Sequence, residues 1–264
     1  MQANRLKAAA REGRTAWGMY VTQPAPALVE LAARAGLDFV RIDAYHGQMS
    51  AETVDGLIRA GFASDVTPTV RVANDRLQIL SALESGAMAI TVPDIESRET
   101  ALDVVQAARY PPRGEREISR PVRTIGVPAE AYFRWAEEEL VVSVQIESTQ
   151  GLAALEEIVT VDGLDMIQSG RQDLALALGV PGQPDHPKVL EAEERIVDVA
   201  HRAGKWVSPL HFPPAPESID RARRWACRGI ECVTIDGDVQ ILFHALRERL
   251  TAMKSDGQEN RQSN

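Results

Sequence analysis

The sequence predicts a single α/β domain that folds as a (β/α)8 TIM barrel. Eight short apolar runs alternate with eight segments of helical spacing along almost the whole chain. The length of 264 residues suits one such barrel, which typically has about 250 residues. A doubly wound open sheet is the alternative, but it does not need eight repeats and usually carries a glycine-rich dinucleotide turn, which we do not find.

The eight apolar runs are interpreted as strands because they are short and apolar, as expected for a parallel sheet covered on both faces. In chain order they are Ala16–Val21, Phe39–Asp43, Pro68–Val72, Ala87–Val92, Leu140–Glu147, Asp165–Ser169, Trp206–Leu210 and Cys232–Ile235.

Helices are predicted between the strands because parallel neighbours need a crossover connection, which is usually a helix. The segments with helical spacing are about 26–35, 50–61, 75–85, 97–109, 151–160, 187–203, 217–228 and 239–252.

Two connections are longer than a barrel requires, and we expect them to act as lids or interface segments. They are Tyr110–Pro128, which is rich in proline and arginine, and Gly179–Pro187. The predicted barrel domain covers residues 1–253. Residues 254–264 are polar without apolar periodicity, so we predict a disordered tail.

Composition narrows the class of function. A net charge of −9 argues against a general nucleic-acid binder and against a basic membrane-binding surface. No apolar run approaches the roughly 20 residues of a membrane span, and the arginine-rich N-terminus lacks the apolar core of a signal peptide. We therefore expect a cytoplasmic protein. Cys227 and Cys232 have no zinc-ligand pattern around them and are interpreted as reduced thiols.

Two carboxylates follow neighbouring predicted strands. Glu147 ends the run Leu140–Ile146, and Asp173 comes shortly after the run Leu164–Gln168. Because the carboxyl ends of parallel strands meet at one rim of a barrel, both acids are expected at the active-site face. Mg²⁺ binds one or two carboxylates and leaves its other positions to water and substrate. The pair therefore predicts a metal site, although acids after strands also serve as helix caps.

The same rim carries a histidine and an arginine. His46 lies near Asp43, and a neighbouring carboxylate would orient the imidazole and make it more basic, which suits proton transfer. Arg71 ends a strand and matches a carboxylate or enolate oxygen bidentately. The alternatives are a His46 bonded to its own turn and an Arg71 paired with a barrel acid. His211 lies at the same predicted rim and is a further candidate, and we interpret His186, His201 and His244 as structural.

An ordered set of short motifs resembles the HpcH/HpaI class II aldolases from about Trp17 to Ile235. The motifs are Phe39-Val40-Arg41-Ile42-Asp43 followed by His46-Gly47, Val70-Arg71-Val72, Gly86-Ala87 with Val92-Pro93, Arg109-Tyr110-Pro111-Pro112 with Gly114 and Arg116, Val144-Gln145-Ile146-Glu147, and Gly170 with Asp173-Leu174. The resemblance implies a divalent-metal-dependent aldolase that reversibly cleaves a 4-hydroxy-2-oxo acid to pyruvate, or a related 2-oxo acid, and an aldehyde through a metal-stabilised enolate. It also implies a homo-oligomer, a hexamer with helices exchanged between barrels.

Site roles are implied by position in these motifs. Glu147 and Asp173 would hold Mg²⁺, Mn²⁺ or Co²⁺, Arg71 would contact the pyruvyl oxygens, and the His46/Asp43 pair would transfer the proton. The remaining substrate-binding residues would be Gln145, Gly170, Leu210 and the backbone amides of Gln172 and Asp173. No lysine stands at a matching strand end, so a Schiff-base mechanism is not favoured.

Three departures from the family pattern bear on the acceptor side and the subunit interface. Glu84 stands where the family has aspartate, Tyr45 where it has glutamate, and Arg171 where it has proline. We hypothesise that Arg171 meets an anionic group on the acceptor half of the substrate; the alternative is a surface salt bridge to Glu115 or Glu117.

Two other functions stay open at this point. One is a related 2-oxo acid decarboxylase or CoA-ester lyase that uses the same enolate. The other is an inactive barrel that serves as a binding or assembly subunit, against which the joint presence of Glu147, Asp173, Arg71 and His46 speaks.

Overall fold

The protein is an eight-stranded parallel barrel. The computed structural model of the chain describes residues 1–47, 49–209 and 216–262, except for the side chains of 216–218 and 255–262. Within these ranges the strands are β1 (Ala16–Val21), β2 (Phe39–Asp43), β3 (Thr67–Arg71), β4 (Ala89–Val92), β5 (Val141–Ile146), β6 (Met166–Ser169), β7 (Trp206–Pro209) and β8 (Cys232–Gly237). Their order in the sheet is β7-β6-β5-β4-β3-β2-β1-β8.

Every paired strand runs parallel to its neighbour, and β7 and β8 lie side by side at the seam, so the barrel is nearly closed. At the other side of β8, the carboxylate of Asp238 accepts hydrogen bonds from the backbone of Thr22 (2.9 Å) and Gln23 (3.0 Å). The predicted TIM barrel is therefore confirmed, and the strand ends differ from the prediction by at most two residues.

The helices of the described chain are α1 (Arg5–Arg11), α2 (Pro26–Arg34), α3 (Ala51–Ala63), α4 (Arg76–Ser85), α5 (Arg98–Ala108), α6 (Ala129–Glu139), α7 (Thr149–Ala153), α8 (Leu155–Ile158), α9 (Arg171–Ala177), α10 (Pro187–Arg202), α11 (Pro216–Cys227) and α12 (Asp238–Gln262). The single helix predicted over 151–160 is wrong, because the chain bends at Ala154 into α7 and α8. This bend keeps Leu152, Leu155 and Ile158 all buried against the sheet.

Three helices were not predicted: α1, α6 and α9. The first is held by contacts with residues far along the chain, since the side chain of Asn4 caps it and also donates to the carbonyls of Met88 (2.9 Å) and Glu139 (2.8 Å). Such contacts leave no local pattern in the sequence. Helix α12 is longer than predicted, because no proline interrupts it before Gln262; the disorder of 254–264 in solution stays a prediction.

The apolar core lies between the sheet and the helices, while the inside of the barrel is partly polar. For example, the amide of Gln168 donates to Thr91 Oγ1 (2.8 Å) and Ser143 Oγ (2.9 Å) in the barrel interior. Helix α1 covers the amino ends of the strands, where Leu6 packs with Phe39. The carboxyl ends of the strands surround an open pocket instead.

Candidate active site

The pocket at the carboxyl ends of the strands has a volume of about 480 Å³. The predicted site residues that line it are Asp43, His46, Arg71, Gln145, Gly170, Arg171, Gln172 and Asp173. Glu147 lies next to it, 6% exposed, with its carboxylate against Gly170 and the side chain of Gln145. Leu210 and His211 lie outside the described residues. Side chains from separate strands and loops therefore meet at one rim, as the fold predicts.

Asp43 and Arg71 form a buried two-point ion pair. Arg71 Nε lies 3.0 Å from Asp43 Oδ1, and Nη2 lies 2.6 Å from Oδ2. Burial would raise the pKa of Asp43, but the hydrogen bonds and charge of Arg71 outweigh it and hold that pKa below its usual range. Arg71 is therefore paired with an acid of the barrel, which is the alternative role that the sequence leaves open for it.

His46 is consequently not oriented by the carboxylate of Asp43 in the way the sequence suggested. Asp43 Oδ1 accepts hydrogen bonds from the backbone N–H groups of Tyr45 (3.2 Å) and His46 (3.1 Å), so it shapes the turn rather than the imidazole. The imidazole itself is exposed and lies against the ring of Tyr45, with 4.7 Å between the ring centroids. The prediction that the Asp43 carboxylate orients the His46 imidazole is therefore corrected. Arg71 is the stronger partner for a buried carboxylate.

The carboxylate of Glu147 is buried beside the pocket. Its Oε1 accepts from the backbone N–H of Asp94 at 2.9 Å, and its Oε2 accepts a short hydrogen bond from Gln145 Nε2. Burial raises the pKa of Glu147 to about 7; these two hydrogen bonds oppose the rise, and the negative charges of Asp173 and Asp94 add to it. Among the described residues, this buried acid lies near other acids and has no ion-pair partner of its own.

The residues present fit a divalent metal ion. Within 1–47, 49–209 and 216–262, neither Glu147 nor Asp173 forms an ion pair with lysine or arginine, so a cation would relieve the charge that raises the pKa of Glu147. Gln145 Oε1 is also buried without a hydrogen-bond partner. The same described residues hold no group of three or more histidine, cysteine or acidic side chains in metal-binding geometry. The donor set is thus two oxygen ligands with open positions, which suits a hard cation such as Mg²⁺.

Arg171 has partners that differ from those expected. Its guanidinium donates to Asp185 Oδ1 (2.8 Å) and the carbonyl of Pro184 (3.0 Å), and its Nε lies 3.5 Å from Glu193 Oε1. The alternative of a surface salt bridge to Glu115 or Glu117 is therefore wrong, because the side chain is only 3% exposed and turns toward α10. Arg171 ties the start of α9 to the loop before α10 and to α10 itself.

Sequence reasoning missed part of the lining. Tyr20, Gln240 and His244 also face the pocket, whereas the sequence analysis interprets His244 as structural. The available signal was the spacing of Gln240 and His244, four residues apart on a helix that starts directly after the last strand.

Comparison with known proteins gives a consistent result. The family model described as HpcH/HpaI aldolase/citrate lyase matches residues 16–238. A pyruvate aldolase from Rhizobium etli is 37% identical over 209 residues, which are 78% of this chain and 82% of that protein. A hydroxypyruvate/pyruvate aldolase from Delftia acidovorans is 34% identical over 250 residues, 93% of this chain and 90% of that protein.

Among solved structures, the crystal structure of citrate synthase SbnG resembles the fold with a TM-score of 0.86 and 31% identity. The match covers 96% of this chain and 98% of that one. In the described part of the chain, we find no helix with the length and apolar character that a bilayer crossing requires.

Proposed function

The chain belongs to the HpcH/HpaI aldolase/citrate lyase family and is a carbon–carbon lyase of the aldolase type, and we propose that it reversibly cleaves a 4-hydroxy-2-oxo acid to pyruvate, or a related 2-oxo acid, and an aldehyde with the help of a divalent metal ion. The observation that carries the proposal is the buried carboxylate of Glu147, whose pKa is raised to about 7 beside Asp173. Groups with strongly perturbed pKa values in a pocket are typical of functional sites.

The reaction breaks the bond between C3 and C4 of the substrate. The electron pair of that bond stays on the pyruvate half as an enolate, and the 4-hydroxyl loses its proton as the aldehyde forms. His46 takes this proton, directly or through one water, and returns it in the aldol direction; its exposed position at the pocket mouth suits this task.

The remaining residues bind and orient the 2-oxo acid. Arg71 presents its guanidinium to the pyruvyl oxygens, with Asp43 holding it in place. Gln145 lines the same part of the pocket, and the N–H groups of Gln172 and Asp173 in the first turn of α9 are available to the carboxylate. Glu147 and Asp173 would hold Mg²⁺, Mn²⁺ or Co²⁺, which supplies Lewis-acid stabilisation of the negative charge on the enolate.

The test is product analysis with and without metal. Protein treated with EDTA is expected to lose cleavage activity, and Mn²⁺, Co²⁺ or Mg²⁺ is expected to restore it. Pyruvate with a panel of aldehydes should give 4-hydroxy-2-oxo acids that are identified by mass spectrometry. Full activity in rigorously metal-free protein would contradict the metal role, and the absence of any condensation product would contradict the aldolase proposal.

A second candidate uses the same enolate on another acceptor. The likeness to a citrate synthase at 31% identity favours including this reaction. The panel therefore contains oxaloacetate alone and oxaloacetate with acetyl-CoA. Loss of CO₂ or release of CoA that exceeds aldol turnover would favour this second candidate.

We also propose a homo-oligomer, a hexamer as the family resemblance implies. Helix α12 exposes an apolar stripe whose members recur at helical spacing: Val239, Leu242, Phe243, Leu246, Leu250 and Met253. Light scattering measures the mass, and Leu246→Glu is expected to lower it, whereas Arg195→Glu on α10 is the surface control. A cytoplasmic location is part of the same proposal and is tested by cell fractionation.

A further inference from the structure

The imidazole of His46 is held by an aromatic ring. The Tyr45 ring lies 4.7 Å from the His46 ring, centroid to centroid, at an interplanar angle of 55°. The guanidinium carbon of Arg71 lies 5.8 Å from the centroid of the Tyr45 ring. Because Asp43 is engaged by Arg71 and by backbone N–H groups, the position of His46 depends on where Tyr45 is fixed.

Tyr45, which follows β2, is held by a residue that follows β4, two strands away in the sheet. Its hydroxyl donates a 2.5 Å hydrogen bond to Asp94 Oδ2, which follows β4. The backbone N–H of Asp94 donates in turn to Glu147 Oε1 at 2.9 Å. Asp94 adopts the left-handed conformation with φ of 56°, which aspartate adopts more readily than most residues other than glycine. A continuous series of contacts therefore joins the loop of His46 to the carboxylate of Glu147.

We infer that Tyr45 and Asp94 form a positioning pair, which sets the placement of His46 relative to Glu147 across the mouth of the pocket. The hydrogen bond raises the pKa of Tyr45 to about 12, with burial as the second cause, so the phenol keeps its proton and remains a donor. Neither residue needs to touch the substrate for this role. The catalytic part of the inference rests on the proposed aldolase function, since it assumes that His46 moves the proton.

Three variants distinguish the effect of the Tyr45–Asp94 hydrogen bond from the effects of the Tyr45 ring and of the Asp94 charge. Tyr45→Phe keeps the ring beside His46 but removes the hydroxyl. Asp94→Ala removes the acceptor, whereas Asp94→Asn removes the charge and keeps an oxygen that can accept the bond. We expect kcat of aldol cleavage to fall about 10- to 100-fold in Tyr45→Phe and in Asp94→Ala, because small displacements of a catalytic group carry costs of this size. KM should change little, and Asp94→Asn should retain most of kcat.

The double variant Tyr45→Phe/Asp94→Ala should lose no more than either single variant, since both remove the same bond. Tyr110→Phe is the matched control. It also removes a tyrosine hydrogen bond, 2.9 Å long to the carbonyl of Ser119, but it lies away from the pocket lining. Equal kcat losses in Tyr110→Phe, or additive losses in the double variant, would overturn the inference.

A measurement that does not depend on catalysis distinguishes this inference from the proposed function. The ring proton resonances of His46, assigned with His46→Ala, should shift in Tyr45→Phe and Asp94→Ala and stay unchanged in Asp94→Asn and Tyr110→Phe. If the wild-type protein cleaves no substrate but these shifts occur, the proposed function fails and the positioning pair stands. If the wild-type protein is active and neither kcat nor the His46 resonances respond, the positioning pair is refuted.

Discussion

Gly170 lies against the carboxylate of Glu147, and Gly170→Ala tests whether this position must lack a side chain. Its backbone angles are φ −100° and ψ 82°, which alanine can adopt without left-handed strain. A methyl group there would overlap with Glu147 Oε2 and would lie 2.7 Å from both Gln145 Nε2 and Glu147 Cβ. The effect of the substitution is therefore steric and confined to the predicted metal site.

These distances set the expected effects of Gly170→Ala on stability, catalysis and metal binding. Ordinary contacts of a Cβ lie at 3.4–4 Å, so Glu147 and Gln145 would have to move by about 1 Å. Both side chains are buried, and crowding a packed interior costs about 1–3 kcal/mol of unfolding free energy. A displacement of about 1 Å can lower catalysis about 100-fold, and disturbing the surroundings of a metal ligand weakens metal binding about 10- to 100-fold.

Three measurements test this expectation. Urea unfolding gives the free energy of unfolding, calorimetry with Mn²⁺ gives the metal affinity, and pyruvate formation coupled to lactate dehydrogenase gives kcat/KM. Gly56→Ala is the matched control, because Gly56 lies inside α3 and a methyl group there meets no atom within 4 Å. This control should stabilise the protein by about 0.5–1 kcal/mol and leave activity unchanged. A Gly170→Ala protein with wild-type metal affinity and kcat/KM would refute the reasoning.

Three further outcomes are expected. His46→Ala should lower kcat about 10²- to 10⁴-fold while the affinity for oxalate, a pyruvate analogue, changes little; unchanged turnover would assign the proton transfer to another group. The pKa of Glu147 rises from 4.5 to about 7 on folding, so between these pH values the metal-free native state binds a proton that the unfolded chain has released. The protein should therefore be more stable at pH 5 than at pH 8, with this contribution to stability lost as pH rises through 7, and Glu147→Gln should abolish the difference. Because metal binding must displace that proton, Mn²⁺ affinity should fall about tenfold per pH unit below 7. Arg171→Ala removes the ion-pair partner of Glu193, a buried carboxyl whose pKa burial already raises, and should cost about 1–3 kcal/mol in urea unfolding, part of which Glu193→Gln should restore. A preserved stability combined with lost discrimination for acidic aldehydes would favour the acceptor hypothesis instead.

The strands and most of the helices were predictable because their signals are local. A strand such as Phe39–Asp43 is marked by its own apolar run, and the end of that run already indicates which residues reach the rim. His46, Arg71, Glu147 and Asp173 could therefore be assigned to one face of the barrel from the sequence alone, since parallel strands place all their carboxyl ends together.

Tertiary structure alone decided which of these groups pair with one another. Asp43 could orient His46 or bind Arg71, and only the packing of β2 against β3 sets both guanidinium contacts within 3.0 Å. Arg171 likewise pairs with Asp185 and Glu193 because α9 and α10 bring them together, although Glu115 and Glu117 had been considered. A side chain reaches only a few ångströms, so its partner depends on how distant segments of the chain are brought together in three dimensions. The periodicity that forms a strand or helix, in contrast, lies in the residues of that element itself.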